Sequence, residues 1–230
     1  MSTPMPLDTV LHEIHVAAMA AKHGPVRLLA ISKTQPVAAI AALAEAGQQA
    51  FGENYVQEAA QKIEALQALR LEWHLVGHLQ SNKAELAARR FDWIQTVDRP
   101  KLVDALARFR SVQGPPLNVL IQVNIDAEIS KSGCTPEKMA SLAAHIVRHP
   151  QLCLRGLMAI PSPNAHTVSQ AFTRMRTLFD TLRQTYPQVD TLSLGMSADF
   201  KDAIACGATM VRLGSSLFGP RNDQPPSISE

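Results

Sequence analysis

Short runs of apolar residues, rich in Val, Ile, Leu and aromatic side chains, alternate along the chain with longer stretches in which apolar positions recur every three or four residues. Apolar runs of strand length bounded by turn residues predict buried strands, and the 3.6-residue recurrence predicts amphipathic helices. Eight strands are expected, at Val26–Ser32, Ala50–Gly52, Trp73–Gly77, Trp93–Val97, Val119–Ile125, Leu152–Ile160, Thr191–Leu194 and Thr209–Leu213. Between them the pattern predicts helices over Val37–Ala46, Tyr55–Leu69, Asn82–Arg90, Lys101–Arg110, Pro136–Arg148 and Ala165–Thr185. Alternating strand and helix imply parallel strands joined by right-handed crossovers, and eight such units favour closure into a single (β/α)8 TIM barrel. An extra N-terminal helix, Leu7–Ala21, precedes the first strand and is expected to cap the bottom of the barrel.

Nothing in the pattern divides this α/β unit. The stretch Ser111–Leu117, with Gly114, Pro115 and Pro116, is short enough to be a helix-to-strand loop. Residues 1–222 are therefore expected to form one barrel, and 223–230, DQPPSISE, a disordered tail. A chain of 230 residues that is 46% hydrophobic can bury one large core. Its 22 Lys and Arg against 20 Asp and Glu leave a charge of +2, without the concentrated basic face that nucleic acid demands. Cys134, Cys153 and Cys206 are odd in number and far apart, which suggests neither a disulfide framework nor a metal clip and points to a reducing compartment. The start, MSTPMPLDTV, has no basic segment leading into an apolar one, and no apolar run approaches the roughly 20 residues of a membrane span. A cytoplasmic protein that contacts neither nucleic acid nor membrane is expected, and the lack of a long apolar surface stripe favours a monomer.

In a barrel of this kind the loops after the strands build the active face, so polar residues directly after an apolar strand carry the chemistry. Lys33 ends the first such run, VRLLAISKTQP. A partly desolvated lysine there can attack an aldehyde to form a Schiff base, although a solvated loop lysine is the simpler reading of this segment alone. Two glycine-serine turns follow strands seven and eight, Gly195-Met196-Ser197 and Gly214-Ser215-Ser216. Glycines there let the backbone approach an anion, and a short helix starting at Ser215 would aim free N–H groups at a phosphate. Arg212 lies inside the last strand, where a buried guanidinium needs an acceptor: a pyridine nitrogen, or an acid such as Asp199. Asn54 follows the second strand and either contacts a ligand or caps the next helix. His74 or His78 is expected at the same mouth, and Lys131, after strand five, is a candidate for attracting a phosphate at the entrance.

Eight blocks in order, LLAISKTQP, FGENYVQE, WHLVGHLQSNK, TVDRPK, VLIQVNIDAEISKSGC, LRGLMAIP, LSLGMSADFKDAIACGAT and VRLGSSLFG, resemble the pyridoxal phosphate homeostasis family, the YggS/PROSC-like proteins. The resemblance runs nearly end to end. It implies the fold-type III barrel of the alanine racemase N-terminal domain and pyridoxal 5'-phosphate (PLP) held by Lys33 as an internal aldimine. On the same resemblance Ser197, Gly214 and Ser215 fall where the family binds phosphate and Arg212 meets the pyridine nitrogen; Asn54 and Met196 join the cofactor-binding set by their positions after strands two and seven. The implied role is to store, deliver or regulate PLP in vitamin B6 homeostasis without substrate turnover, with PLP-dependent apoenzymes as partners. Two other functions share the lysine. A PLP-dependent racemase would need a second acid/base on the opposite face of the substrate, and neither Tyr55 nor Tyr186 fills that place: Tyr55 is expected to pack at a helix start and Tyr186 stands before Pro187 at a helix end. A Schiff-base aldolase acting on sugar phosphates would need no cofactor and would be colourless.

Overall fold

The computed structural model describes residues 5–128, 130–162 and 165–219, the side chains of 165–167 excepted. The tail expected at 223–230 lies outside the described residues. Eight strands, β1 (Arg27–Ile31), β2 (Ala50–Glu53), β3 (Glu72–Leu75), β4 (Trp93–Val97), β5 (Leu117–Gln122), β6 (Leu152–Met158), β7 (Thr191–Ser193) and β8 (Met210–Leu213), close into a barrel in chain order. Neighbours are parallel throughout, and β8 returns to β1 with Leu29 opposite Arg212 and Ala30 opposite Leu213. Every expected strand is present. The largest shift in bounds is β5, which runs Leu117–Gln122 rather than Val119–Ile125, because Val123 makes only an isolated bridge to Cys134 and the chain then turns away.

The outer layer holds α1 (Leu7–Ala20), α2 (Val37–Glu45), α3 (Val56–Ala65), α4 (Ala84–Arg90), α5 (Pro100–Phe109), α6 (Pro136–Ile146), α7 (Ala165–Thr185), α8 (Phe200–Ala205) and α9 (Ser215–Phe218). Pro100 and Pro136 open α5 and α6, where a missing N–H costs nothing and a fixed φ favours the helix. On α5 the buried positions are Leu102, Val103, Leu106 and Ala107, the spacing of one helical face turned to the sheet. Burying each leucine there contributes roughly 1.5–3 kcal/mol. The helix expected over Tyr55–Leu69 breaks at Leu66, which turns into the core, and a 3-10 turn, Gln67–Leu69, follows. The six-residue α8 is too short to show a helical recurrence, and the pattern does not predict it.

The leading helix does not cap the bottom of the barrel. The backbone N–H of Met5 donates to Ser216 O at 2.9 Å, so the chain enters α1 beside α9 at the carboxyl ends of the strands. From there α1 runs down against α8, with Lys201 bonded to Glu13, and buries Leu7, Val10, Ile14 and Ala18. Each strand of a (β/α)8 barrel needs its outer face covered. Among the described residues the four-residue α9 is the only helix after β8, and α1 supplies the rest of the wall.

Candidate functional site

At the carboxyl ends of the strands a cavity of about 340 Å3 opens, a size that suits a cofactor. Lys33, Asn54, Met196, Ser197, Arg212, Gly214 and Ser215, all seven residues the sequence assigns to a cofactor, line it together. Apolar Ile31, Val76 and Ile160 complete the walls with Gln35, Ala198 and Gly219, which sequence reasoning did not single out. Their signal is position alone, at the end of a strand or within a few residues after it.

Lys33 and the Gly214–Ser215 turn leave adjacent strand ends, because β1 and β8 are paired. The turn after Lys33 is tightly tied. Gln35 N–H donates to Ser32 O, Thr34 N–H donates to Glu58 Oε1 at 2.7 Å, and Thr34 adopts a left-handed φ of 61°. Beneath it lies a buried network that the sequence reading missed. Ser32 Oγ donates to Glu53 Oε1 at 2.6 Å, while Lys62 Nζ reaches Ser32 O, Glu53 Oε1 and Glu58 Oε1 at 2.8, 2.8 and 2.6 Å. Burial pushes the Glu53 carboxyl above the usual carboxylate range, against the opposing pull of Lys62 and Ser32. The one available signal was an acid closing an apolar strand with a Glu58–Lys62 pair at i,i+4 in the next helix.

Gly195 has a φ of 85°, and a Cβ there would stand 2.7 Å from Ala203 Cβ and 2.9 Å from Phe200 Cα, so this turn accepts only glycine. Asp199 Oδ1 accepts the Met196 N–H at 2.6 Å and pins the same turn. Asp199 is therefore not the ion-pair partner of Arg212. The Arg212 guanidinium donates to Ser193 O and Ser193 Oγ at 2.7 and 2.8 Å and to Ala159 O at 2.8 Å, all uncharged oxygens. Burial lowers its pKa to about 10 while the field of Asp199 opposes the shift, and it keeps its proton at neutral pH.

From Arg212 a chain of hydrogen bonds descends through the barrel interior. Ser193 Oγ, already an acceptor from Arg212, donates to Gln95 Oε1 at 2.7 Å. Gln95 Nε2 lies 2.9 Å from His74 Nδ1, and His74 Nε2 lies 2.6 Å from Glu72 Oε1, which also accepts from Arg27. Only one set of directions satisfies every member: Nδ1 of His74 accepts and Nε2 carries the proton. Burial pushes the His74 pKa down, consistent with a neutral ring. Burial alone would raise Glu72, but the N–H of His74 and the Arg27 guanidinium bring it from 4.5 to about 2.

His74 therefore does not face the mouth. It is fully buried, stacked on Trp93 with ring centroids 5.0 Å apart, because the pleat of β3 turns it into the barrel below the cavity. His78 does reach the mouth, in a side chamber of about 250 Å3 that shares Asn54, Val76 and Ile160 with the main cavity. Lys131 lines this chamber too, but Glu128 Oε1 at 2.9 Å and Asp126 Oδ2 at 3.7 Å balance its charge, so it is not a free phosphate anchor. Asn54 does not cap α3: Tyr55 holds the N-cap position without a side-chain bond, and Asn54 belongs to the cavity wall. A Cβ on Gly77 would fall 2.1 Å from Asn54 O, so the bare glycine lets the two strand ends meet there. Tyr55 is exposed rather than packed, and Tyr186 packs partly buried against the outer core.

With this geometry in place, comparison with known proteins is direct. The family model for the alanine racemase N-terminal domain matches residues 6–222. The pyridoxal phosphate homeostasis protein of Haemophilus influenzae is 55% identical over 203 residues, 86% of each chain. The chain belongs to the pyridoxal phosphate homeostasis protein family. A second member, from Escherichia coli, is 48% identical over 223 residues, 94% of this chain and 95% of that one. Among solved structures, PipY of Synechococcus elongatus with PLP bound is similar with a TM-score of 0.77 and 37% identity, over 91% of this chain and 100% of PipY. Alanine racemase from Corynebacterium glutamicum is similar in fold alone, with a TM-score of 0.66 and 18% identity over 99% of this chain and 64% of the racemase. This member of the homeostasis family thus keeps the family's barrel along nearly all of its described length.

Proposed function

We propose that the cavity binds PLP, with Lys33 as its covalent attachment point, and that the protein stores, delivers or regulates this cofactor. The observation that carries the reading is the meeting of Lys33, a buried Arg212 and two glycine-serine turns in one cavity of cofactor size. The PLP-bound structure of the relative PipY supports it, as do the names of the curated relatives. PLP, when bound, supplies an electrophilic aldehyde and an electron-withdrawing ring. The residues of this chain then have separate tasks. Gly214 and Ser215 at the start of α9 would face the phosphate with amides that have no carbonyl behind them in the helix, Ser197 from the neighbouring β7 turn would add its hydroxyl, and Met196, whose N–H is held by Asp199, would line the wall. Arg212 would donate to the ring nitrogen and, keeping its own proton, would leave that nitrogen a weak electron sink. Asn54 contributes an amide from the β2 side.

Binding without turnover is the reading that the lining of the main cavity supports. Among the described residues lining this cavity none is a His, Tyr, Cys, Asp or Glu, the types that would serve as a second acid/base opposite Lys33. The same reading places the protein in the cytoplasm as a monomer, its three cysteines free, with PLP-dependent apoenzymes as recipients. The test is an absorbance spectrum of the purified protein, then borohydride reduction and peptide mapping. A yellow protein whose pyridoxyl adduct maps to Lys33 is the expected result. A protein that stays colourless and unlabelled after incubation with PLP overturns the reading and favours a cofactor-free Schiff-base aldolase.

A further inference from the structure

On the outer layer, away from the cavity, α5 and α6 pack side by side. Asp104 projects from α5. His145 sits in the last turn of α6, and the chain keeps coiling past it, with Arg148 N–H bonded to His145 O and His149 N–H to Ile146 O. Spacing of four residues in a coiled segment puts the two imidazoles on one side. Both rings present Nε2 to the same oxygen: Asp104 Oδ1 is 2.7 Å from His145 and 3.4 Å from His149. The rings meet edge to face, 5.4 Å between centroids, and the three donor atoms all lie within 4.8 Å of one another.

We propose that Asp104, His145 and His149 form a binding site for a divalent transition-metal ion of the zinc class. Two imidazoles and one carboxylate suit zinc, copper or nickel and leave the remaining positions to water. A tetrahedral ion with ligands at about 2.0–2.2 Å separates its ligand atoms by roughly 3.3 Å. His149 already stands at that distance from Asp104, and His145 reaches it by withdrawing roughly half an ångström, within the freedom of a surface rotamer. The imidazoles are only 29% exposed and so are held by packing, while Asp104, at 57%, leaves the solvent side open. An ion bound there ties α5 to α6 across the layer outside β5. The proposal is independent of the cavity and its cofactor.

The test is titration of the full-length protein with Zn2+ in a non-chelating buffer, by calorimetry and by thermal unfolding. One zinc ion per chain and a raised midpoint are expected. His145→Gln and His149→Gln keep hydrogen-bonding side chains, and circular dichroism checks that they fold. Each removes a ligand, so each should weaken binding by more than the roughly 10-fold that loss of an outer-shell partner costs. Asp104→Asn keeps the hydrogen bonds without the charge, and should leave the metal-free midpoint unchanged while lowering zinc affinity. No zinc binding by the parent protein, or unchanged affinity in the His145→Gln/His149→Gln double variant, overturns the proposal and leaves a hydrogen-bonded surface cluster.

Discussion

Replacing Gln95 by leucine removes the middle link of the chain that runs from Arg212 to Glu72. Gln95 is fully buried, and both ends of its amide are engaged: Oε1 accepts from Ser193 and Nε2 donates to His74 Nδ1. Leucine fills most of the volume and bonds to neither. Ser193 Oγ still accepts from Arg212, but its proton has lost its acceptor, and His74 Nδ1 has lost its donor. A buried polar group left unpaired costs about 1–3 kcal/mol, and two of them, less what is regained by not burying the amide, give a loss of about 2–4 kcal/mol. That is a large fraction of the 5–15 kcal/mol typical of a folded domain. Urea unfolding followed by tryptophan fluorescence measures it directly, since Trp93 stacks on His74 and Trp73 lies on the same strand as His74. Ser193→Ala breaks the same chain one link nearer Arg212, so the two substitutions should be non-additive, with a coupling of about 0.5–3 kcal/mol in a double-mutant cycle. A loss below about 1 kcal/mol for Gln95→Leu, or strict additivity with Ser193→Ala, would refute the chain as a cooperative unit.

Two further outcomes follow from the buried charges. Lys62→Met strands the fully buried Glu53 carboxyl and should cost about 3–5 kcal/mol in urea unfolding, whereas the Glu53→Leu/Lys62→Met double variant should recover most of it; a double variant as unstable as the single contradicts this. Glu72 has a folded pKa below its unfolded value, so its stabilisation is present above about 4.5 and is lost as pH falls towards about 2; acid unfolding of Glu72→Gln should be less steep over that window than that of the parent, and identical profiles would exclude the contribution.

The layout of this protein was legible in its order of apolar and polar residues. Alternating strand-length and helix-period runs fold only one way into parallel strands with helical crossovers, and the eighth run closes the barrel. That layout also settled where Lys33, Asn54, Ser197 and Gly214 would gather, since a residue following a barrel strand has only one face on which to emerge. What the interior side chains touch was set by the closed barrel. Ser193 and Gln95 are 98 residues apart, and their bond depends on strand register, tilt and pleat rather than on any local pattern. The same is true of Arg212: the sequence pointed to a pyridine nitrogen or an acid such as Asp199, and only the fold brought the neutral oxygens of Ser193 and Ala159, at the ends of β7 and β6, against it. Register likewise took His74 out of the mouth and into the core, and the short α9 drew α1 from the barrel's bottom to its wall. Local periodicity fixes which face of an element is buried. The contacts across a closed barrel arise from all eight strands at once, and they cannot be read from any one of them.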